Sequence, residues 1–322
     1  MENKRNIWLD ADPGIDDAVA FAMAFANRDR LNICGISSVA GNQTSEHVTG
    51  NALKLAVFLG AEDIPVVQGA SLPLLREIVP AGDIHGKSGL GYCELPAVKK
   101  ELAAENGILY LRDTIMGLPA GEKMTLVPTG PLTNIALLLK TFPEVMDRID
   151  EIVLMGGSSV GGNVTATAEF NIWEDPEAAQ MVFAAGLPIV MCGLDVTQQC
   201  VLTRKQIEGL DQSSGRVQHA YGEMLRFYLD APSYKGSDAA AIHDAVTILY
   251  LLYPDLFGGA RMRVTVDCSE GLNRGMTVCD KRQGQLQEPG DVLVLNRVDL
   301  AGFQKIILKT LAGYDPSEDQ LA

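Results

Sequence analysis

Short runs of consecutive apolar residues alternate along the first 200 positions with longer segments in which apolar residues recur every three or four positions. The short runs are typical of buried strands, and the longer segments are typical of amphipathic helices. The predicted strands are "RNIWLDA", "LNICGISSVA", "IPVVQG", "MTLVPTG", "EIVLMGG" and "LPIVMCGLDV". The predicted helices are "DDAVAFAMAFAN", "TSEHVTGNALKLAVFLG", "PLTNIALLLKTF" and "DPEAAQMVFAAG".

This alternation predicts an α/β fold with a doubly wound, mostly parallel central sheet and helices on both faces. The strands are apolar along nearly their whole length, as expected for strands covered on both faces. Some helix boundaries are also visible. Asp175 is placed to cap the helix that begins at Pro176, and Pro131 falls in the first turn of the helix before it.

The pattern changes in the last third of the chain. The segments "SSGRVQHAYGEMLRFYLD", "AIHDAVTILYLLY" and "FQKIILKTLAG" are predicted to be helices. The segments "MRVTVDCSEG", "GMTVCD" and "GDVLVLNRV" are predicted to be strands, with antiparallel pairing near the C-terminus. No internal repeat, low-complexity tract or linker-like stretch is visible, so we expect a single domain over residues 1–322.

The charge of the chain excludes some classes of partner. Its 322 residues carry a formal net charge of −15, which disfavours nucleic acid and anionic lipid as ligands. Its six cysteines form no C-x-x-C pair, which is typical of reduced thiols in a cytoplasmic protein. The N-terminus has no apolar signal-peptide region, and no run approaches the ~18 apolar residues of a membrane span. We therefore expect a cytoplasmic protein.

Four aspartates lie within eight residues of the segment "LDADPGIDDAVA" at positions 9–20. Asp10 and Asp12 lie two apart at the end of a predicted strand and share a face, whereas Asp16 and Asp17 fall in the first turn of the next helix. A helix N-terminus stabilises negative charge by only about 0.3 to 1 kcal/mol, which does not offset the repulsion among four carboxylates. A hard divalent cation does, and ligands that are all oxygen indicate Ca²⁺ or Mg²⁺.

Several glycine-containing loops follow predicted strands, namely "DADPG", "VAGN", "PTGP" and "MGGSSVGGN". In an open parallel sheet, ligands bind beyond the carboxyl ends of the strands. We therefore expect these loops to converge with the aspartates on one crevice.

Two familiar acidic motifs do not fit this spacing. A calcium-binding EF-hand loop that began at Asp10 would need glutamate at its twelfth position, which is Phe21. A phosphatase of the haloacid dehalogenase type also begins with a strand and Asp-x-Asp, but it continues with Gly-Thr or Gly-Val rather than "PGIDD".

The segment "DADPGIDDAVA" resembles the N-terminal signature of the inosine-uridine-preferring nucleoside hydrolase family. Six further motifs of that family follow in order, and the resemblance extends to "RGMTV" near the C-terminus. They are "VAGN", "VPTGPLTN", "LMGG", "GNVTATAEFN", "DPEAA" and "IHDA". The resemblance implies hydrolysis of the N-glycosidic bond of ribonucleosides of the uridine or inosine type, through an oxocarbenium-like transition state.

The resemblance also implies a tightly held Ca²⁺ and a homodimeric or homotetrameric protein. The implied ligands are Asp12, Asp17, the backbone carbonyl of Thr129 and Asp244. Asp10 is either a further ligand or an acid next to the ligands. Asp12 is also the implied base that takes a proton from a water held beside the ion.

The remaining implied residues bind the ribonucleoside or act on its base. Those implied to grip the ribose hydroxyls and the 5′-OH are Asp16, Asn42, Asn163, Glu169 and Asn171, of which Glu169 and Asn171 are predicted to lie in a loop. His243 resembles the acid that protonates the leaving base, and His85, in a predicted glycine-rich loop, resembles a residue near the base or the 5′ side. Tyr228 lies with Phe227 and Tyr234 on a segment that resembles a mobile flank of the pocket.

Two readings from other classes remain. One is a non-catalytic protein that binds a nucleoside or sugar, which loss of Asp12, Asp17 or Asp244 would have favoured. The other is a Mg²⁺-dependent phosphatase-type enzyme, which would need Lys or Arg near its phosphate. The motif loops contain almost none.

Overall fold

The computed structural model describes residues 4–104, 106–231, 236–282 and 290–315. The strands of these residues are β1 (Arg5–Ala11), β2 (Leu31–Ser38), β3 (Val66–Gln68), β4 (Met124–Pro128), β5 (Ile149–Met155), β6 (Ile189–Cys192), β7 (Val201–Thr203), β8 (Ala239–Ala241), β9 (Phe257–Val266), β10 (Thr277–Asp280) and β11 (Val292–Val298).

The α-helices of the same residues vary from one turn to four. They are α1 (Ile15–Phe25), α2 (Ser45–Phe58), α3 (Gly82–His85), α4 (Gly107–Met116), α5 (Thr133–Thr141), α6 (Phe170–Glu174), α7 (Pro176–Phe183), α8 (Leu194–Thr197), α9 (Arg204–Asp211), α10 (Arg216–Asp230), α11 (Ala245–Leu252) and α12 (Leu300–Gly313). None of the helices in the described part of the chain is both long and apolar enough to cross a bilayer.

Nine of the described strands form one sheet in the order β10-β9-β11-β6-β5-β4-β1-β2-β3. The seven neighbouring strands β11, β6, β5, β4, β1, β2 and β3 pair in parallel. Strand β9 pairs antiparallel with β11 on one side and with β10 on the other. The predicted doubly wound sheet with late antiparallel strands is confirmed. One detail differs from the expectation: β11 is antiparallel only on its β9 side, because it inserts between β9 and β6 and runs parallel to β6.

Buried apolar side chains form two clusters, one on each face of the sheet. One cluster contains α1, α11 and the inner faces of α2, α10 and α12, and the other contains residues of α4, α5 and α7. Every residue of α1 is buried, which explains its alanine-rich sequence, because a helix covered all round gains from small side chains that allow close packing. The helices on both faces are therefore confirmed.

Three local predictions are wrong. His85 is the last residue of the short helix α3 rather than a loop residue, and Glu169 and Asn171 form the N-terminus of α6. Pro131 precedes α5, which begins two residues later at Thr133. The cap at Asp175 is confirmed, since its side chain accepts a hydrogen bond from Ala178 N at 3.1 Å. Tyr234 lies outside the described residues.

Candidate active site

The candidate site lies at the carboxyl ends of β1 and β4, the two neighbouring strands at which the winding of the sheet reverses. The order β3-β2-β1-β4-β5-β6 places the switch point between β1 and β4, and such a point opens a crevice for ligands. Asp12 directly follows β1, and Thr129 directly follows β4. The backbone also comes close here, because a Cβ added to Gly130 would lie 2.6 Å from Asp12 Oδ1.

Three carboxylates from two helix N-termini meet in this crevice. Asp16 and Asp17 lie in the first turn of α1, and Asp244 is the residue before α11. One oxygen of each lies within 4.8 Å of the others, and all three side chains are buried. We call Asp12, Asp16, Asp17 and Asp244 the carboxylate cluster. Two helix dipoles point their positive ends at the cluster, which stabilises part of its charge.

Asp12 is fully buried, and only one of its two carboxylate oxygens has a hydrogen-bond partner among the described residues. Its Oδ2 accepts a hydrogen bond from the backbone N–H of Asn42 at 2.7 Å, whereas Oδ1 has no hydrogen-bond partner among the described residues. A buried carboxylate oxygen without a partner is costly, and a cation removes that cost. Burial, followed by the charge of Asp17, raises the pKa of Asp12 well above its usual value.

Asp17 and Asp244 show the same electrostatic strain. Burial raises the pKa of Asp17, with the charge of Asp16 next in size, and burial raises the pKa of Asp244 well above its usual value. Neighbouring carboxylates raise each other's pKa because each disfavours the charge of the next. A divalent cation reverses this balance, since its charge favours the ionised form of every ligand.

Thr129 contributes two groups next to the cluster. Its hydroxyl donates to Asp17 Oδ1 at 2.7 Å, and its carbonyl accepts from the side-chain amide of Asn171 at 2.8 Å. A carbonyl oxygen has a second lone pair, so the contact with Asn171 leaves it able to ligate. The residues implied as ligands thus offer oxygen atoms alone, the donor set that Ca²⁺ and Mg²⁺ prefer.

Asp10 belongs to a separate buried network behind the cluster. Its Oδ1 accepts hydrogen bonds from the Ser37 hydroxyl and from Asn134 Nδ2, the latter at 2.7 Å. Ser37 in turn accepts from the Trp8 indole at 2.8 Å. Burial raises the pKa of Asp10 to about 7, against the lowering effect of its two donors. The network fixes the end of β1 immediately before Asp12.

His85 and Tyr228 lie together on the α1 side of the cluster. Tyr228 donates to Asp16 Oδ1 at 2.7 Å, and the two rings pack edge to face with centroids 5.5 Å apart. His85 Nδ1 accepts from the backbone N–H of Ile15 at 3.2 Å, so a neutral His85 carries its proton on Nε2. Burial lowers the pKa of His85 to about 4. His85 is therefore neutral near pH 7.

His243 precedes Asp244, and its ring contacts the last residue of α8. Its Nδ1 lies 2.8 Å from the hydroxyl of Thr197, and its Nε2 has no hydrogen-bond partner among the described residues. Burial lowers the pKa of His243, an effect that the charge of Asp16 opposes. His243 directly precedes Asp244 in the chain, which brings it next to the carboxylate cluster.

The sequence profile of the family described as inosine-uridine preferring nucleoside hydrolase matches residues 7–305 of this chain. The chain belongs to that family. It is therefore an N-ribosylhydrolase, an enzyme that hydrolyses the N-glycosidic bond of nucleosides.

Individual nucleoside hydrolases are similar over nearly the whole length. The protein of Shewanella sp. (strain MR-7) named pyrimidine-specific ribonucleoside hydrolase RihA is 42% identical over 316 residues, or 97% of this chain and 98% of the relative. RihA of Photobacterium profundum is 41% identical over 313 residues, or 96% and 99%. A solved purine-preferring ribonucleoside hydrolase from Gardnerella vaginalis has a TM-score of 0.88 and 31% identity, over 96% of this chain and 99% of that one.

The nucleoside hydrolase fold brings most of the sequence-predicted residues together. Hydrogen bonds join the carboxylate cluster to Asn42, Thr129 and Tyr228, and they join Thr129 to Asn171. Glu169 is buried beside Asn171 and accepts from the backbone N–H groups of Gly157 and Asn171 at 2.9 and 3.0 Å. Burial raises its pKa to about 7.

Asn163 lies outside this hydrogen-bond network. It is exposed, and its side-chain oxygen accepts from the backbone N–H of Phe170 at 3.0 Å. Among the described residues, no hydrogen bond joins it to the carboxylate cluster. This hydrogen bond fixes the loop that leads into α6, and Glu169 caps the N-terminus of the same helix.

Sequence reasoning missed two residues that support the nucleoside hydrolase site. Asn134 contacts Asp10, and it stands in the quoted motif "VPTGPLTN", where its position in a family motif was the available signal. Thr197 contacts His243 across 46 positions of sequence, and nothing local to Thr197 indicates this.

Proposed function

We propose that this nucleoside hydrolase acts on ribonucleosides at the carboxylate cluster, releasing ribose and free base, and that it prefers pyrimidine ribonucleosides. The observation that carries the proposal is the buried cluster itself, with an Asp12 oxygen that has no partner in the described residues. Cleavage builds positive charge on the sugar, and a pocket of fixed negative charge stabilises it. The pyrimidine preference is supported by the names of the two curated relatives.

We propose that the family's metal requirement is met here by Ca²⁺. Asp12, Asp17, Asp244 and the carbonyl of Thr129 would hold the ion, and substrate hydroxyls and water would complete the six to eight oxygens that Ca²⁺ takes. When bound, the ion supplies positive charge that orients the ribose hydroxyls and lowers the pKa of a nearby water. Asp10 is proposed either as a further ligand or as an acid next to the ligands: its Oδ1 accepts from Ser37 and Asn134, and its Oδ2 has no partner among the described residues.

Asp12 is proposed to act as the general base. Its Oδ2 accepts from the Asn42 backbone N–H, and its Oδ1 has no partner among the described residues, so Oδ1 has lone pairs for both the ion and the proton of a water. Water then attacks C1′ of the ribose as the bond from C1′ to the base nitrogen breaks, and the bonding electrons pass to the base. A base with its position fixed in this way contributes about 10² to 10⁴ in rate.

His243 is proposed to protonate the departing base from Nε2. Its Nδ1 is occupied by Thr197, so the opposite ring nitrogen is the one available to a substrate. Burial lowers the pKa of His243, which makes its protonated form a stronger acid than free imidazole. The neutral His85 serves instead as a hydrogen-bond donor through Nε2, on the base or 5′ side.

The ribose is held by the remaining polar groups near the cluster. The proposed contacts are with Asp16, Asn42, Asn163, Glu169, Asn171 and Tyr228. The second carboxylate oxygen of Asp16 suits a vicinal hydroxyl, because Tyr228 already donates to its Oδ1. Asn163 would need to turn inward, since it is exposed and bonded to Phe170 N.

A phosphatase-type reaction is less well supported. Within the described residues, no Lys or Arg forms a hydrogen bond or ion pair with the carboxylate cluster. A phosphate would meet buried negative charge without a counter-charge from the protein.

The homo-oligomeric state, the cytoplasmic location and the single domain over residues 1–322 stay predictions.

A panel of nucleosides tests the proposed function. Purified protein with Ca²⁺ is incubated with uridine, cytidine, inosine, adenosine and guanosine, and reducing sugar is measured. We expect the two pyrimidine ribonucleosides to give kcat/KM values at least tenfold above those of the purines. Faster hydrolysis of a purine ribonucleoside would overturn the base preference, and release of no ribose from any substrate would overturn the function.

A further inference from the structure

The hydroxyl of Thr197 and the imidazole of His243 form a buried contact to which neither the sequence motifs nor the family assignment gives a role. Thr197 ends the short helix α8 and is fully buried. Its Oγ1 lies 2.8 Å from His243 Nδ1. The backbone just before His243 is also fixed, since Ile242 N donates to Cys200 O at 2.9 Å, close to the end of α8.

The chemistry of the two groups selects an orientation for the ring. No other hydrogen bond of the Thr197 hydroxyl or of the His243 ring is found among the described residues. A buried hydroxyl proton needs an acceptor, and the unprotonated Nδ1 provides one. When Nδ1 accepts, neutral His243 carries its proton on Nε2, on the opposite side of the ring from α8. The same hydroxyl oxygen can accept from Nδ1 when the ring carries two protons.

We propose that Thr197 is a positioning residue that holds His243 with a protonated Nε2 turned toward the leaving base. The proposal rests on the proposed function for its kinetic consequence, because that consequence requires His243 to act on the base. The proposed orientation of the ring does not depend on the proposed function. A threonine hydroxyl suits this position because it both donates and accepts, and so it serves the ring in either protonation state.

Three variants of the full-length protein separate this role from a structural one. Thr197→Val keeps the shape of the side chain and removes the hydroxyl, and Thr197→Ser restores the hydroxyl. Thr125→Val is the matched control, since Thr125 is a buried threonine on β4 whose Oγ1 has no partner in the described residues. All are assayed with uridine, whose base requires an acid, and with p-nitrophenyl riboside, whose leaving group departs unaided.

Thr197→Val should lower kcat for uridine about tenfold, the effect of one lost hydrogen bond. It should change kcat for p-nitrophenyl riboside less than threefold and leave KM for both substrates nearly unchanged. Thr197→Ser should retain most of the uridine activity, and Thr125→Val should match the wild type. An equal loss on both substrates, or a serine variant as impaired as the valine variant, would overturn the proposal.

The orientation of the ring is tested without turnover. Long-range ¹H–¹⁵N NMR spectra distinguish the tautomers of neutral histidine, and only four histidines are present. The His243 signals are assigned by their loss in His243→Ala. We expect the Nε2–H tautomer in the wild type and in Thr197→Ser, and a shift toward Nδ1–H in Thr197→Val. An unchanged tautomer in Thr197→Val would overturn the proposal even if the protein hydrolyses uridine, whereas failure of the proposed function leaves this readout intact.

Discussion

Replacing Asn134 with alanine should destabilise the fold by about 3 to 5 kcal/mol. The side chain is fully buried and makes three hydrogen bonds. Its amide donates to Asp10 Oδ1 at 2.7 Å and to Ser38 O at 3.0 Å, and its oxygen accepts from Ala70 N at 2.7 Å. Each bond contributes about 1 kcal/mol, and each buried partner left unsatisfied adds to the cost.

Urea denaturation followed by circular dichroism measures this loss as a shift of the midpoint at constant slope. Asn106→Ala is the matched control, because Asn106 caps α4 through a single hydrogen bond to Leu109 N at 3.0 Å. The control should lose about 1 kcal/mol. If Asn134→Ala cost no more than Asn106→Ala, the Asp10 network would not be the rigid support that we describe.

Other predictions concern the carboxylate cluster. Gly130→Ala should reduce activity at least tenfold, because the new Cβ would lie 2.6 Å from Asp12 Oδ1; wild-type kcat/KM in a folded variant would contradict this contact. Chelation should lower the melting temperature by several degrees, and more at pH 8 than at pH 5.5. The reason is that the raised pKa values of Asp12, Asp17 and Asp244 make the emptied site more stable when its carboxyls hold protons, so its stability falls as pH rises. Melting curves with and without Ca²⁺ at the two pH values check the sign, and an effect that is larger at pH 5.5 would refute it. Deoxyuridine should react about 10⁴-fold more slowly than uridine, because the lost hydroxyl leaves buried polar groups unpaired. Equal kcat/KM values would contradict the proposed binding of the ribose.

The sequence predicted those features of the fold that depend on local pattern. Apolar runs located β1 to β6, and the aspartates after β1 located the candidate site, because the carboxyl ends of parallel strands converge. The insertion of β11 between β9 and β6 could not be predicted, because the periodicity of a single strand does not indicate which strands pair with it.

Local sequence pattern likewise does not indicate contacts between supporting residues of the site that lie far apart in the chain. Thr197 and His243 lie 46 positions apart, and Asn134 and Asp10 lie 124 apart. Single threonines and asparagines are common in helices and turns, so residue type alone carries no signal, and of the two only Asn134 stands in a family motif. The sequence predicts a loop at Glu169, because a helix as short as α6 has too few residues to show a period of 3.6.

The most direct test of the account is the release of uracil from uridine by the wild-type protein and by Asp12→Ala. Asp29→Ala serves as the control, because Asp29 is an exposed aspartate outside the cluster. Free uracil is measured by chromatography with Ca²⁺ present, and circular dichroism confirms that each variant is folded. We expect the wild type and Asp29→Ala to release uracil at similar rates, and folded Asp12→Ala to release it at least about 10³-fold more slowly. Release of uracil by folded Asp12→Ala at the wild-type rate would contradict the claim that the carboxylate cluster is the active site.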